Sequence, residues 1–334
     1  KIGCIEVLEA MRNHPHYNAP LEKQTQGRGI AIGYWFNIGE QSSVNLSVNA
    51  DGTVSLTEGS TDIGGTRTSI AMQAAEVLGI PAEDVHPSIV DTDSIAYSVG
   101  TGGSRVTFAT GWAAYEAAQD VKRQMIERAA LIWNLEPSDV EMSEGQIRSK
   151  TDPNIKTTFK SLASELNDTG GAIMGRGTID PKGHGEAFAG MIVDVDLDPE
   201  TGKTTILRAT CVQDAGKAIH PSYVEGQMQG GAAQGIGWGL NEEYFMDDSG
   251  GMLNNSLLDY RMPTALDLPM IDTVIVEVAN PGHPFGVRGV GEAPIITPPA
   301  ALANAIYKTS GVRLNQLPMN PSTVMKSIWS KNGD

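Results

Sequence analysis

The sequence predicts an α+β protein of two lobes, each built of mixed sheets with packed helices. Three observations point to it. The chain has 334 residues, more than one small hydrophobic core needs. Strand-like and helix-spaced runs are intermixed along it, a pattern of helices packed on mixed sheets. Its 38 glycines gather between these runs at about 11% of the chain, against an average near 7%. Glycine in such clusters lets backbone turn sharply or approach a large group, so loops wrapped around a ligand are expected. The lobes are placed at residues 1–170 and 171–334, with no long linker between them.

Taken in order, residues 5–12 read as a short helix, followed by the polar His14-Pro15-His16 loop. Residues 29–38 read as a strand, and 43–50 with 53–57 as a hairpin across Asp51-Gly52. Asp62-Ile63-Gly64-Gly65-Thr66 leads into a helix over 67–78, where Ile70, Ala74, Ala75 and Leu78 recur at helical spacing. Gly79-Ile80-Pro81 stops it. After a strand at 85–90, Thr101-Gly102-Gly103-Ser104-Arg105 opens the longest helix, residues 106–133. Strands at 140–143 and 146–149 and a helix at 159–166 complete the first lobe. The second has strands at 173–179, 187–197 and 203–214, then helices at 222–239 and 299–309.

Composition excludes several function classes. Forty acidic against twenty-four basic residues give a net charge of −16, wrong for a nucleic-acid groove or an anionic membrane. Cys4 and Cys211 are too few for a disulfide framework or a four-thiolate iron–sulfur cluster. No apolar run reaches the roughly 18 residues of a membrane span, and Lys1 to Glu6 does not read as a signal peptide. A cytoplasmic location is expected. Serine nucleophile elbows, HExxH and CxxC motifs are absent. Among the histidines, His14 and His16 form the one close pair, without an evident third metal ligand. His184, His220 and His283 read as loop or core residues.

Three glycine-rich segments share a design: residues 62–67, 101–105 and Gly226-Gln227-Met228-Gln229-Gly230-Gly231. Backbone N–H groups at a helix start, with the helix dipole behind them, suit an anion such as phosphate; tight helix–strand packing is the plainer alternative. Gly27-Arg28-Gly29 precedes a strand rather than following one and is no dinucleotide fingerprint. In the run from Phe285 to Pro294, Glu292 is a single carboxylate among small residues. It can face a cavity as a partly desolvated general base, or sit on a solvated turn.

Together these segments resemble the molybdenum hydroxylases, the xanthine dehydrogenase group. The resemblance rests on Asp91-Thr92-Asp93 with Gly100–Arg105, Asp194-Val195-Asp196 with Glu200-Thr201-Gly202, and Asp214-Ala215-Gly216. It continues through Gly226–Gly231, Asp259-Tyr260-Arg261, Gly289-Val290-Gly291-Glu292 and Pro299-Ala300-Ala301. These follow in family order and correspond to the C-terminal half of the family's molybdopterin-binding region. The chain resembles one subunit of a split enzyme, such as the medium molybdopterin subunit of a nicotinate dehydrogenase.

The resemblance implies a molybdenum-cofactor-binding fold and Glu292 as catalytic base. It also implies hydroxylation of an electron-poor carbon in an N-heteroaromatic substrate, nicotinate to 6-hydroxynicotinate, with oxygen from water. Gly103 and Ser104 match backbone contacts to the pterin, and Gln227 matches a side-chain contact. Thr101, Gly102, Arg105 and Gly291 belong to the same cofactor segments. Asp62 to Thr66, with Ile63, Gly64, Gly65 and Thr66 as the cofactor candidates, falls where the family often has Gly-Gln-Gly; here the Gln is missing or one residue is deleted. The implied cofactor is a molybdopterin dinucleotide, of the cytosine type, whose molybdenum takes no protein ligand. A large molybdopterin subunit, an iron–sulfur (2Fe-2S) subunit and an FAD subunit would be the partners, passing electrons to NAD(P). Met262 borders the family's active site, Arg288 could attract a substrate carboxylate, and Tyr17 is a further substrate candidate. A core methionine and a structural ion pair are the alternatives for Met262 and Arg288. A purine- or carbon-monoxide-type hydroxylase, or a non-catalytic scaffold subunit, stays open at this point.

Overall fold

Alternating and helix-spaced residues produce eighteen regular elements among the described residues of the computed structural model, 1–181 and 185–333. In chain order they begin α1 (Cys4–Asn13), β1 (Gln26–Trp35), β2 (Ser42–Val48), β3 (Val54–Glu58), α2 (Thr66–Leu78), β4 (Val85–Ile89) and α3 (Gly111–Trp133). Next come β5 (Val140–Ser143), β6 (Gln146–Ser149), β7 (Lys156–Thr158), α4 (Phe159–Thr169), β8 (Met174–Ile179), β9 (Ala187–Leu197) and β10 (Thr204–Asp214). The series ends with α5 (Pro221–Leu240), β11 (Ile271–Val276), α6 (Pro298–Ser310) and α7 (Pro321–Asn332). His184 lies outside the described residues. No described helix is long and apolar enough to cross a membrane.

The α+β class is as expected, but a single cut near residue 170 does not describe the chain. One unit comprises residues 1–36, 186–280 and 288–334; the other comprises 37–185 and 281–287. The reason is strand pairing. β1 runs antiparallel to β9 from Gln26 opposite Asp196 to Trp35 opposite Ala187, which binds the N-terminal segment to the second half of the chain.

The first unit holds the sheet β1-β9-β10-β11, antiparallel except for the parallel β10–β11 edge. β9 is apolar almost throughout because both faces are covered. Met191, Val193 and Val195 pack with Met228 and Ile236 of α5 and Leu302 and Ile306 of α6. Ile192, on the opposite face, packs with Val7 and Met11 of α1. A Cβ at Gly29 would lie 1.7 Å from the Ala301 carbonyl oxygen, so the glycines of β1 serve helix packing rather than a ligand. Cys211 is buried in this core, which pushes its thiol up to about 12.

Asp194 of β9 is fully buried between neighbouring strands. Arg28 reaches it at 2.7 and 2.8 Å, Arg208 at 2.9 Å and His16 at 3.2 Å. Burial opposes its ionisation, but the His16 and Arg28 contacts outweigh that and hold the carboxyl well below the usual range. The His14–His16 pair is therefore an anchor, with His14 paired to Asp272 at 3.0 Å.

The second unit holds the sheet β4-β3-β2-β8, backed by α2 and α3, and the small sheet β5-β6-β7 beside α4. Cβ atoms at Gly175 and Gly177 would meet the Ala117 and Ala113 carbonyls at 2.3 and 2.0 Å, so α3 lies directly on the β8 backbone. The long helix expected from residue 106 begins as a π-helical turn, Val106–Thr110, before α3 proper. β7, β11 and α7 were not expected. α7 nonetheless carries a legible start, Asn320 accepting from Thr323 N–H with Pro321 at the first turn.

Candidate functional site

In the second unit, two loops expose backbone where the sequence expects a cofactor. Gly64 and Gly65 adopt φ of +64° and +77°, turning the chain into the N-terminus of α2. Thr66 Oγ1, in the first turn, is buried without a hydrogen-bond partner among the described residues. Asp62 accepts from the Arg67 N–H at 3.1 Å and pairs with its side chain at 3.3 Å, bracing the turn. In the other loop Gly103 and Ser104 are both left-handed, at +64° and +57°. Asn37 Nδ2 donates to the Gly103 and Ser104 carbonyls at 2.9 and 2.6 Å. In a trans peptide the N–H points opposite the C=O, so the Ser104 and Arg105 N–H groups are aimed away from Asn37. A Cβ at Gly100 or Gly102 would meet nothing within 4 Å, so these glycines border open space.

The Arg105 side chain plays a different part from its backbone N–H. It is completely buried and faces protein, not a cofactor. Nε donates to Gly39 O at 2.8 Å, Nη1 to Val99 O at 3.1 Å, and Nη2 to Gln41 O at 2.7 Å and Ser42 Oγ at 2.6 Å. The polar contacts continue from Ser42 Oγ to Thr110 Oγ1 at 2.9 Å and on to Ser60 Oγ at 2.8 Å. Ser60 N–H then donates to the Glu58 carboxyl. This buried chain ties the loop at 101–105 to the strand end that precedes the loop at 62–66. The π-helical turn ends at Thr110, a local irregularity of the kind that redirects side chains at functional sites.

Burial pushes the Glu58 carboxyl above its usual range, against the opposing Ser60 contact. A raised folded-state value means that stability is fully present below the unfolded value, near 4.5, and is lost as pH rises through the folded one. The neutral isostere Glu58→Gln should therefore gain stability relative to the unaltered chain as pH rises above about 4.5. Urea unfolding at pH 4 and pH 8 measures this; a pH-independent difference would remove the desolvation account.

In the first unit the turn bearing Glu292 is seated on α5. Gly231, Gly235 and Gly239 form a stripe at four-residue spacing, where Cβ atoms would lie 3.0 Å from Pro294, 2.4 Å from the Ile295 carbonyl oxygen and 2.9 Å from Leu302. Any larger side chain would push the turn away. Gln213 Nε2 of β10 donates to the Gly289 and Val290 carbonyls at 3.3 and 3.2 Å, fixing the approach to Gly291. Glu292 stands at the N-cap position of the 3-10 turn Ala293–Ile295, without a side-chain capping bond, and is half-buried while Ala293 and Pro294 are buried. Gln227, one helical turn before Gly231, is half-buried on α5.

The substrate candidates fare differently. Arg288 is a correction, the structural ion pair holding in place of a substrate contact: it is buried, its Nε 3.1 Å from Asp214, and it donates to the carbonyls of Val278, Glu186 and Lys1 at 2.9, 2.9 and 2.6 Å. Its charge and donors hold the protein together, leaving none of its nitrogens for a substrate carboxylate. Met262 is exposed in the loop after α5, next to Pro263, which packs where Gly237 leaves room. Tyr17 is exposed in the 3-10 turn Pro15–Asn18, its carbonyl held by Arg28 at 2.8 Å. His220 caps α5, and His283 is a core residue whose burial pushes it down to about 4. Sequence reading missed Asn37, Glu58, Thr110 and Gln213, which carry no motif. A groove of about 880 Å³ along α3 and β8, lined by Trp112, Asp120, Arg123 and Arg176, contains none of the expected site residues.

The family profile described as Molybdopterin cofactor-binding domain matches residues 8–269. The chain belongs to that family. It is a molybdenum hydroxylase relative, 34% identical over 296 residues to the xanthine dehydrogenase molybdenum-binding subunit of Escherichia coli O157:H7, covering 86% of this chain and 39% of that one. It is 30% identical over 343 residues to the 6-hydroxypseudooxynicotine dehydrogenase complex subunit gamma of Paenarthrobacter nicotinovorans, covering 98% and 43%. Quinoline 2-oxidoreductase from Pseudomonas putida 86 superposes with a TM-score of 0.83 at 27% identity, over 91% of this chain and 42% of that one. The chain thus spans about two fifths of the length of the relatives it matches. The residues present fit the family's cofactor: two loops with left-handed turns, one of them with Gly100 and Gly102 beside open space, and an unpartnered buried hydroxyl at Thr66 offer backbone and small side chains.

Proposed function

We propose that this chain is the part of a molybdenum-dependent hydroxylase that holds much of a molybdopterin dinucleotide, of the cytosine type, and supplies the catalytic base. The observation that carries the reading is the seat of Glu292. A carboxylate heads a turn held against α5 by Gly231 and Gly235 and against β10 by Gln213. Such fixing of a base before reaction is what makes proton transfer efficient. When bound, the cofactor supplies Lewis acidity and accepts two electrons.

The chain's own residues bind and position. Gly103, Ser104, Gly64, Gly65 and Thr66 offer backbone and hydroxyl groups to the cofactor, Gln227 offers its amide, and Glu292 takes a proton at its carboxylate oxygen. The substrate class is an N-heteroaromatic ring, nicotinate in the first instance. Relatives named for nicotine 6-hydroxylation and quinoline oxidation support the N-heteroaromatic class. Electrons leave to partner subunits with an iron–sulfur cluster and FAD, and then to NAD(P). The test uses the purified native complex: molybdenum and pterin analysis, then turnover of nicotinate in ¹⁸O-labelled water. Stoichiometric molybdenum and label in 6-hydroxynicotinate are expected. Absence of molybdenum overturns the functional reading, and molybdenum with turnover of other substrates only overturns nicotinate.

A further inference from the structure

In the second unit, the buried polar chain between the two glycine-rich loops has a direction fixed at both ends. Glu58, Ser60, Thr110, Ser42 and Arg105 are each 2% exposed or less. A guanidinium only donates, so Ser42 Oγ accepts from Arg105 and its own proton is left for Thr110 Oγ1, 2.9 Å away. Thr110 then donates to Ser60 Oγ at 2.8 Å, and Ser60 to the Glu58 carboxyl. Each hydroxyl accepts once and donates once, and aligned bonds of this kind polarise one another. Thr110 stands at the centre because the turn before α3 is π-helical: its extra residue rotates position 110 relative to an unbroken α-helix. A second bridge meets the same turn. Gln73 of α2, 1% exposed, donates to Thr107 O at 3.0 Å, in space left by Gly111, where a Cβ would lie 2.0 Å from its Nε2. α2 starts from the loop at 62–66, and the π-helical turn starts from Arg105, the end of the other loop.

We infer that Thr110 is a positioning residue that makes the two cofactor loops one unit, so that the N–H groups of one are set only while the other is in place. The inference rests on the functional reading above. Packing alone does not call for this chain: valine at position 110 with alanine at 42 and 60 would fill similar volume and leave no hydroxyl to satisfy, a replacement that is nearly neutral where both partners of a bond are removed. An anionic group that spans two loops is held best when both present their donors together, because donors fixed in advance lose less freedom on binding. The two bridges meet that need. One runs through the Thr110 hydroxyl and the other through the Gln73 amide, and both end on the same five-residue turn, so a shift of either loop is felt by the other.

Thr110→Val in the native complex tests this, with Thr110→Ser as the rescue. Hydrogen exchange at the amides of 62–66 and 101–105 should quicken together by roughly 10-fold in the valine variant and stay within about twofold of the unaltered rate in the serine variant. Cofactor content should fall in the valine variant only. Ser60→Ala cuts the same link at its other end while Ser42 keeps Arg105. It should reproduce the effect, and the double variant should add nothing to either single one. Faster exchange at 101–105 alone overturns the coupling, because Thr110 then serves only its own loop. Equal loss in Thr110→Ser overturns it as well, since the hydroxyl is then not what matters, and so does an additive double variant. Should Thr110→Val fail to fold, Ser60→Ala carries the same comparison of the two loops. Molybdenum content of the unaltered complex, measured alongside, separates the two failures: its absence overturns the functional reading, while the paired exchange rates still decide the coupling.

Discussion

Glu292→Gln is expected to leave molybdenum and pterin at the level of the unaltered complex while kcat falls by roughly 10²–10⁴-fold, the range for loss of a positioned base. Glutamine matches glutamate in shape, so the turn on Gly231 and Gly235 keeps its seat. What disappears is the ability to hold a proton. Metal analysis and single-turnover reduction by substrate, at equal loading, measure both effects. A kcat within about threefold of the unaltered value would remove Glu292 from the chemistry, because a positioned base contributes far more. Glu292→Asp should fall between the two, since a carboxylate remains but is withdrawn by one methylene.

The sequence marks Glu292 as a single carboxylate in a run of small residues, with a solvated turn as the plainer alternative. The elements that seat it were legible in part. The helix spacing of residues 222–239 indicated α5, but not that Gly231, Gly235 and Gly239 would face the 291–302 segment, because a glycine's partner is fixed only by the tertiary fold. The same gap explains the glycines of β1 and β8: their density suggested ligand loops, whereas α6 and α3 approach the backbone there. The burial of the Arg288 and Arg105 side chains was hidden for a different reason. Each lies in a segment expected to meet substrate or cofactor, and each is buried beneath it, where backbone carbonyls from distant positions take its N–H groups. Sequence shows where a cation stands in the chain, not which way it points. The division into units was hidden likewise, since the β1–β9 pairing joins residues more than 150 apart in the chain.

Arg105→Met is the second large effect. The substitution keeps an unbranched apolar stem and removes the donors that hold Gly39, Gln41, Val99 and Ser42. Those acceptors would then be buried without partners, and breaking such a buried network costs about 3–5 kcal/mol. At roughly 2–4 °C per kcal/mol for a large domain, the thermal midpoint should drop by about 10 °C. Arg105→Lys should recover only part, because a compact ammonium cannot span carbonyls at both Gly39 and Val99 as a guanidinium does. The functional consequence follows from the loop that Arg105 ends. Without its anchor, the left-handed pair Gly103–Ser104 loses the orientation of its N–H groups, so cofactor content should fall while turnover per bound molybdenum stays near the unaltered value. A midpoint drop with full cofactor content would confine Arg105 to stability. Loss of turnover per molybdenum would instead mean that the buried clamp reaches the chemistry itself.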